Sequence, residues 1–146
     1  MINLIKLIAP KLNEKASIEF SNKLESSFEN DKSNFEQTFL NLLLEYKLVV
    51  MFDNTISLEE LLFKLRQLIN NNHINIASMG DDSLNEFDIT DHQLNSAGHI
   101  FKKQGWLVVD FDRDPVLYYL SAIPLTSKSE LQSWISSKNL FLQVFE

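Results

Sequence analysis

The sequence contains no cysteine, so it can form no disulfide, no thiolate nucleophile and no cysteine-based metal site. Glycine and proline are scarce, at three residues each among 146, and no tract of serine, glycine or proline marks a linker. No apolar stretch approaches the ~20 residues that cross a bilayer, and Lys6 interrupts the short apolar run at the start. We therefore expect a single domain over residues 1–146 that resides in the cytoplasm.

The sequence motifs of common enzyme classes are missing as well. There is no G-x-S-x-G elbow, no H-E-x-x-H helix, no G-x-x-x-x-G-K loop and no G-x-G-x-x-G loop. Lysine and arginine are dispersed and the isoelectric point is about 4.9, which disfavours nucleic acid and anionic membranes as partners. We predict that the protein is not an enzyme, needs no cofactor or metal, and binds neither nucleic acid nor membrane.

Apolar residues recur at helical spacing in several segments. The clearest run extends from Leu58 to Ile69 and predicts an amphipathic helix that ends near Asn70. The same spacing predicts helices near 1–8, 16–28, 35–46, 94–104 and 131–135. Four capping boxes, in which Ser or Thr precedes Glu or Gln by three positions, indicate helix starts. They are Ser33 with Glu36, Ser57 with Glu60, Thr90 with Gln93 and Ser127 with Glu130.

Two segments rich in β-branched and aromatic residues, 106–112 and 116–123, flank a turn signal at 112–115 and predict a β-hairpin. In the first segment Leu107 and Val109 alternate with their neighbours, as in a strand with one buried face. Further strands are predicted at 48–52, 74–78 and 140–145. This order predicts an α+β fold with an antiparallel or mixed sheet of about four to five strands and helices packed mainly on one face.

Negative charge is concentrated in one part of the chain. The formal net charge is −7, and residues 75–114 hold eight acidic and three basic residues. Five of the acids lie between Arg66 and Lys102, where no lysine or arginine occurs: Asp81, Asp82, Glu86, Asp88 and Asp91. The other three are Asp110, Asp112 and Asp114. A local negative field of this kind attracts basic surfaces or cations.

The same aspartates suggest a cation site as an alternative. Asp110 and Asp112 lie two residues apart on a predicted strand, so their side chains leave the same face. Asp88 and Asp91 begin the preceding helix, and with His92 they could complete a divalent-cation site or a carboxylate-based hydrolase. The presence of each aspartate can also be explained by local structure alone, because aspartate is favoured at helix starts and in turns.

Tyr118 and Tyr119 are neighbours on the second predicted strand, so their side chains point to opposite faces of the sheet. We expect one of the two to leave the core. An exposed aromatic side chain beside carboxylates is typical of a protein-recognition surface.

These features predict an acidic cytoplasmic module that binds a basic protein, because opposite charge raises the encounter rate of two proteins. In size, charge and composition the chain resembles the small acidic bacterial immunity proteins. That resemblance implies neutralisation of a basic toxin, such as a nuclease. The predicted contact residues are Asp81, Asp82, Glu86, Asp88, Asp91, Asp110, Asp112 and Tyr119. A homo-oligomeric structural module, in which Phe-rich helix faces meet, is a third possibility beside the cation site.

Overall fold

The computed structural model describes residues 2–10, 12–30, 32–53, 57–68, 91–114 and 117–146. In these ranges the helices are α1 (Ile2–Ile8), α2 (Glu14–Asn30), α3 (Phe35–Glu45), α4 (Leu58–Leu68), α5 (Asp91–Lys103) and α6 (Lys128–Ser137). The strands are β1 (Val50–Asp53), β2 (Trp106–Asp110), β3 (Leu117–Pro124) and β4 (Gln143–Phe145). Among the helices of these ranges, none is both long enough and apolar enough to cross a bilayer.

The strands form one antiparallel sheet in the order β1-β3-β2-β4. The eight-residue β3 pairs with β1 on one side and with β2 on the other. The prediction of an α+β fold with an antiparallel sheet is therefore confirmed. The strand predicted at 74–78 lies outside the described residues.

Helices cover both faces of this sheet, so each face builds a core of its own. In the first core α1, α2, α3 and α6 pack against Leu107, Val109 and Tyr119. In the second core α4 and α5 pack against Val108 and Tyr118. Four of the described helices therefore cover one face of the sheet, and two cover the other face. The expectation that β2 has only one buried face is wrong, because α4 and α5 also cover the face on which Val108 lies.

Tyr118 and Tyr119 do point to opposite faces, as predicted, but neither leaves the protein interior. Their exposed fractions are 9% and 8%, since each meets a layer of helices. The prediction that one of the two is exposed is therefore wrong. Burial raises the pKa of the Tyr119 hydroxyl, and the nearby negative charge of Asp112 raises it further.

The helix starts follow the predicted capping boxes only in part. The Ser57 hydroxyl accepts a hydrogen bond of 3.2 Å from the backbone N–H of Glu60, so this cap of α4 is confirmed. Ser127 precedes α6 without a side-chain cap bond. Ser33 lies within a 3-10 turn that leads into α3, one residue before the cap position. The side-chain cap predicted at Ser127 is therefore wrong, the cap at Ser33 stays a prediction, and Thr90 lies outside the described residues.

The position of α5 is fixed by its crossing with β4 at Gly98. A Cβ atom at this position would overlap the backbone carbonyl of Phe145. Only glycine allows the helix backbone to approach the strand so closely. This crossing therefore holds α5 directly over β2 and β4.

The two ends of the sheet receive different parts of the chain. β1 and β2 run in the same direction, because both are antiparallel to β3. α4 begins soon after β1 ends at Asp53, and α5 ends shortly before β2 begins at Trp106. Both helices therefore start at the end where β2 stops. We call this the Asp110 end and the opposite one the Trp106 end.

Candidate functional site

The turn that follows β2 is braced by three aspartate side chains. Asp110 Oδ1 accepts the backbone N–H groups of Asp112 and Tyr119, each at 3.0 Å. Asp112 Oδ1 accepts the N–H of Asp114 at 3.1 Å, and Asp114 Oδ1 accepts the N–H of Leu117 at 3.2 Å. Each aspartate thus holds a nearby backbone amide, which is the ordinary structural role of aspartate in turns.

These aspartates differ in their access to solvent. Asp110 is only 2% exposed, whereas Asp112 and Asp114 are partly exposed. A buried carboxylate needs hydrogen-bond donors, and the two backbone amides supply them to Asp110. Asp110 and Tyr119 therefore offer almost no surface to a partner, while Asp112 does.

Arg113 anchors this turn to the helices of the first core. Its Nε donates to the two carboxylate oxygens of Glu36 at 2.9 and 3.2 Å, and its Nη2 donates to the carbonyl of Asn139 at 3.0 Å. The guanidinium also lies 5.8 Å from the centre of the Phe141 ring. Its positive charge is thus paired with Glu36, and no described lysine or arginine forms an ion pair with Asp112.

Further acidic positions reach the Asp110 end through the connections of the chain. β1 ends here at Asp53, and α4 begins here with Glu59 and Glu60 in its first turn. α5 begins at Asp91, seven residues before its crossing with β4 at Gly98, which corresponds to about 10 Å along the helix axis. The backbone therefore gathers acidic positions from four elements at this end.

Basic residues at the same end lie on the side of the first core. Lys32 precedes α3 and Lys138 follows α6, and their ammonium groups lie 5.3 and 4.3 Å from the centre of the Phe28 ring. Neither lies on α4 or α5. The side of the Asp110 end formed by α4 and α5 is therefore the acidic one.

Only some of the predicted contact residues lie at the Asp110 end, and they differ in their exposure to solvent. Asp112 lies at the surface of the Asp110 end, Asp110 and Tyr119 are buried beside it, and the backbone of Asp91 lies at the same end. The remaining predicted contacts lie outside the described residues: Asp81, Asp82, Glu86 and Asp88.

Sequence reasoning missed the acids contributed by β1 and α4. Asp53, Glu59 and Glu60 lie outside the acidic stretch 75–114, so a count along the chain does not find them. The available signal was their position, since Asp53 directly follows the predicted strand 48–52 and Ser57 marks the start of the next predicted helix.

The cation site predicted as an alternative has no described counterpart. Within the ranges that the structure covers, no three His, Cys, Asp or Glu side chains are placed to hold a metal ion. Asp88 lies outside these ranges, and the side chains of Asp91 and His92 are not described. No protein family model, curated protein or solved structure matches this chain.

Proposed function

We propose that this protein is an acidic cytoplasmic binding module whose Asp110 end docks a basic partner protein. In this proposal it acts as an immunity protein that neutralises a basic toxin, for example a nuclease. The observation that carries it is the gathering of acidic positions from β1, α4, α5 and the turn after β2 at one end of the sheet.

The electrostatic part of the mechanism follows from this arrangement. A surface of one charge attracts a partner of the opposite charge from a distance and orients it before contact. A basic toxin that binds polyanionic substrates presents such a surface around its own active site. Docking on that surface would block the substrate.

The braced turn contributes to the contact itself. Because Asp112 and Asp114 already hold backbone amides, their side chains are ordered before the partner arrives. Each carboxylate keeps further lone pairs that can accept hydrogen bonds from a guanidinium or an ammonium group. Ordering before binding reduces the entropy lost in the complex.

Charge reversal in matched positions tests the proposal. Glu59→Lys with Glu60→Lys alters the first turn of α4 at the Asp110 end, and Glu14→Lys with Glu130→Lys alters the first turns of α2 and α6. Both variants change the net charge equally and oppose a helix dipole. We expect the first variant to slow association with a basic partner by about tenfold and the second by much less.

The partners to be offered are the basic proteins encoded by genes next to this one, with a basic ribonuclease as a reference. Association rates are measured at several salt concentrations, because screening weakens attraction between exposed charges. Reversal of Asp81 and Asp82 is measured in the same assay. Equal rates for the two matched variants would contradict an electrostatic contact at the Asp110 end, and the absence of any bound basic protein would contradict the function.

A further inference from the structure

The outward face of α4 carries an aromatic side chain that neither hydrophobic core uses. Leu61, Leu62 and Leu65 turn inward and are almost fully buried in the second core. Phe63 lies on the opposite side of the helix, and 54% of this residue is exposed. An amphipathic helix normally carries polar residues on that side. The packing of α4 against the sheet therefore does not account for Phe63.

Two carboxylates lie on the same face of the helix as this ring. Glu59 and Glu60 precede Phe63 by four and three positions, and both are exposed. Side chains at these spacings are neighbours on a helix, with Cβ atoms about 5–6 Å apart. Phe63 lies only about 7.5 Å along the axis from the start of α4, so all three residues belong to the Asp110 end. We call Glu59, Glu60 and Phe63 the Phe63 cluster.

The side chains of the Phe63 cluster are little engaged within the described part of the protein. Glu60 has one long ion pair, at 3.8 Å to Lys64, and such a pair between exposed side chains contributes little. No described lysine or arginine forms an ion pair with Glu59. None lies over the Phe63 ring either, although Lys64 and Arg66 belong to the same helix. The cluster therefore presents a ring and two carboxylates to another molecule.

The protein itself shows which side chain combines with a ring and a carboxylate. Arg113 donates its Nε to both carboxylate oxygens of Glu36, and its guanidinium lies 5.8 Å from the centre of the Phe141 ring. A guanidinium is planar, so it can stack on a ring and direct N–H groups at carboxylates at the same time. An ammonium group is a compact point charge without a flat face. A ring flanked by carboxylates therefore favours arginine over lysine.

We propose that the Phe63 cluster binds an arginine side chain of the basic partner. The guanidinium stacks on the Phe63 ring, and its N–H groups donate to the carboxylates of Glu59 and Glu60. Aromatic and arginine side chains are also the ones that most often carry the binding energy of protein interfaces. The inference rests on the proposed function, because it identifies one contact within the docking of the partner at the Asp110 end.

Two capped peptides, one of six arginines and one of six lysines, test the preference, because they carry the same charge. Calorimetry measures their affinities, and NMR follows the ring protons of Phe63. We expect the arginine peptide to bind about threefold to fivefold more tightly and to shift the Phe63 resonances. Equal affinities, or no binding of the arginine peptide, would overturn the arginine site. The proposed function is measured separately, with whole basic proteins.

Substitutions of Phe63 separate stacking from plain apolar contact. Phe63→Leu keeps an apolar side chain without a ring and should weaken the arginine peptide by about threefold, whereas Phe63→Trp should strengthen it by about twofold. Ile18→Ala is the control, because it removes another exposed apolar side chain, on α2, and should leave the affinity unchanged. Circular dichroism checks that each variant is folded. Unaltered affinity in Phe63→Leu would overturn the stacking contact.

Substitutions of the two carboxylates complete the test. Glu59→Gln and Glu60→Gln should each weaken the arginine peptide by about twofold to threefold and reduce its advantage over the lysine peptide. Glu14→Gln makes the same charge change in the first turn of α2 and should do neither. If the two α4 variants slowed association of a basic protein but kept the full preference for arginine, the arginine site would be overturned and the proposed function would stand.

Discussion

The Asp110 end and the Trp106 end are built from the same strands, yet they present opposite chemistry. α4 and α5 both begin with acidic residues at the first end, and both finish with basic residues at the second, namely Arg66, Lys102 and Lys103. Acids at helix starts and bases at helix ends are favoured by the helix dipole. Two helices that run in the same direction therefore sort charge to the two ends of one sheet.

The two ends also differ in how their charges are held. At the Asp110 end, Asp112 and Asp114 are fixed by backbone amides of their own turn. At the Trp106 end, Lys102 and Lys128 are joined by the side chain of Glu146, at 3.1 and 2.7 Å. One end thus presents ordered carboxylates, whereas the other neutralises part of its positive charge internally.

Substitution of Gly98 should disturb both ends of the sheet, because α5 carries an acidic residue to the Asp110 end and basic residues to the Trp106 end. Gly98→Ala places a methyl group against the carbonyl of Phe145, so we expect it to lower the free energy of unfolding by about 3 kcal/mol. Gly105→Ala is the control. Gly105 has a φ of +89° but open space around it, so we expect a loss of about 1 kcal/mol from backbone strain. Urea unfolding measures both, and equal losses would contradict a steric cause.

Removal of the Asp110 carboxylate should loosen the Asp110 end alone. Asp110→Ala leaves the buried N–H of Tyr119 without its acceptor, which should lower the free energy of unfolding by about 2 kcal/mol. Asp110→Asn keeps an acceptor oxygen and should lose about half as much. Asp112→Ala, in the more exposed part of the turn, is the matched comparison. The structural role assigned to Asp110 would fail if Ala and Asn had the same effect.

Arg113 offers a way to make the Asp110 end more negative. Arg113→Met removes its bonds to Glu36 and Asn139 and should lower the free energy of unfolding by about 1 kcal/mol. The lost positive charge should also speed association with a basic partner at low salt. Lys15→Met, on the exposed surface of α2, makes the same charge change elsewhere. If both variants bound at the same rate, the location of the charge would not matter.

The smallest effect is expected at the Trp106 end from Glu146→Gln. Hydrogen bonds from Lys128 and then Lys102 hold the pKa of Glu146 below its ordinary value of 4.5. A carboxylate with a lowered pKa stabilises the folded state above its unfolded value and loses this contribution as the pH falls through the folded value. The variant should therefore be less stable by about 0.5 kcal/mol at pH 7, and the difference should vanish well below pH 4.5. Urea unfolding at several pH values checks this, and a difference that persisted in acid would contradict it.

Much of the fold could be predicted from local sequence patterns. The hairpin of β2 and β3 follows from β-branched and aromatic segments on either side of an aspartate-rich turn, and the helices follow from apolar spacing. The second helix layer could not be predicted in this way. Val108 looks like any apolar residue of a half-exposed strand, and its burial depends on α4, which is distant in sequence, together with α5.

The candidate site was less accessible to sequence reasoning. A count of charge along the chain finds Asp110 and Asp112 but cannot show that Asp110 is buried and accepts hydrogen bonds from the amides of Asp112 and Tyr119. The same count overlooks Glu59 and Glu60, which reach the site only because α4 starts beside the end of β1. The topology of the fold decides which residues of different elements become neighbours, and the spacing of residues along the chain does not reveal that topology.

The position of β3 has a consequence for how the molecule melts. This strand gives Leu120 to one hydrophobic core and Ile123 to the other, with a single layer of backbone between them. Loss of either helix layer would expose to solvent one face of the strand that supports the opposite layer. Neither half can then survive alone, so heating should produce one transition in which the calorimetric and van't Hoff enthalpies agree.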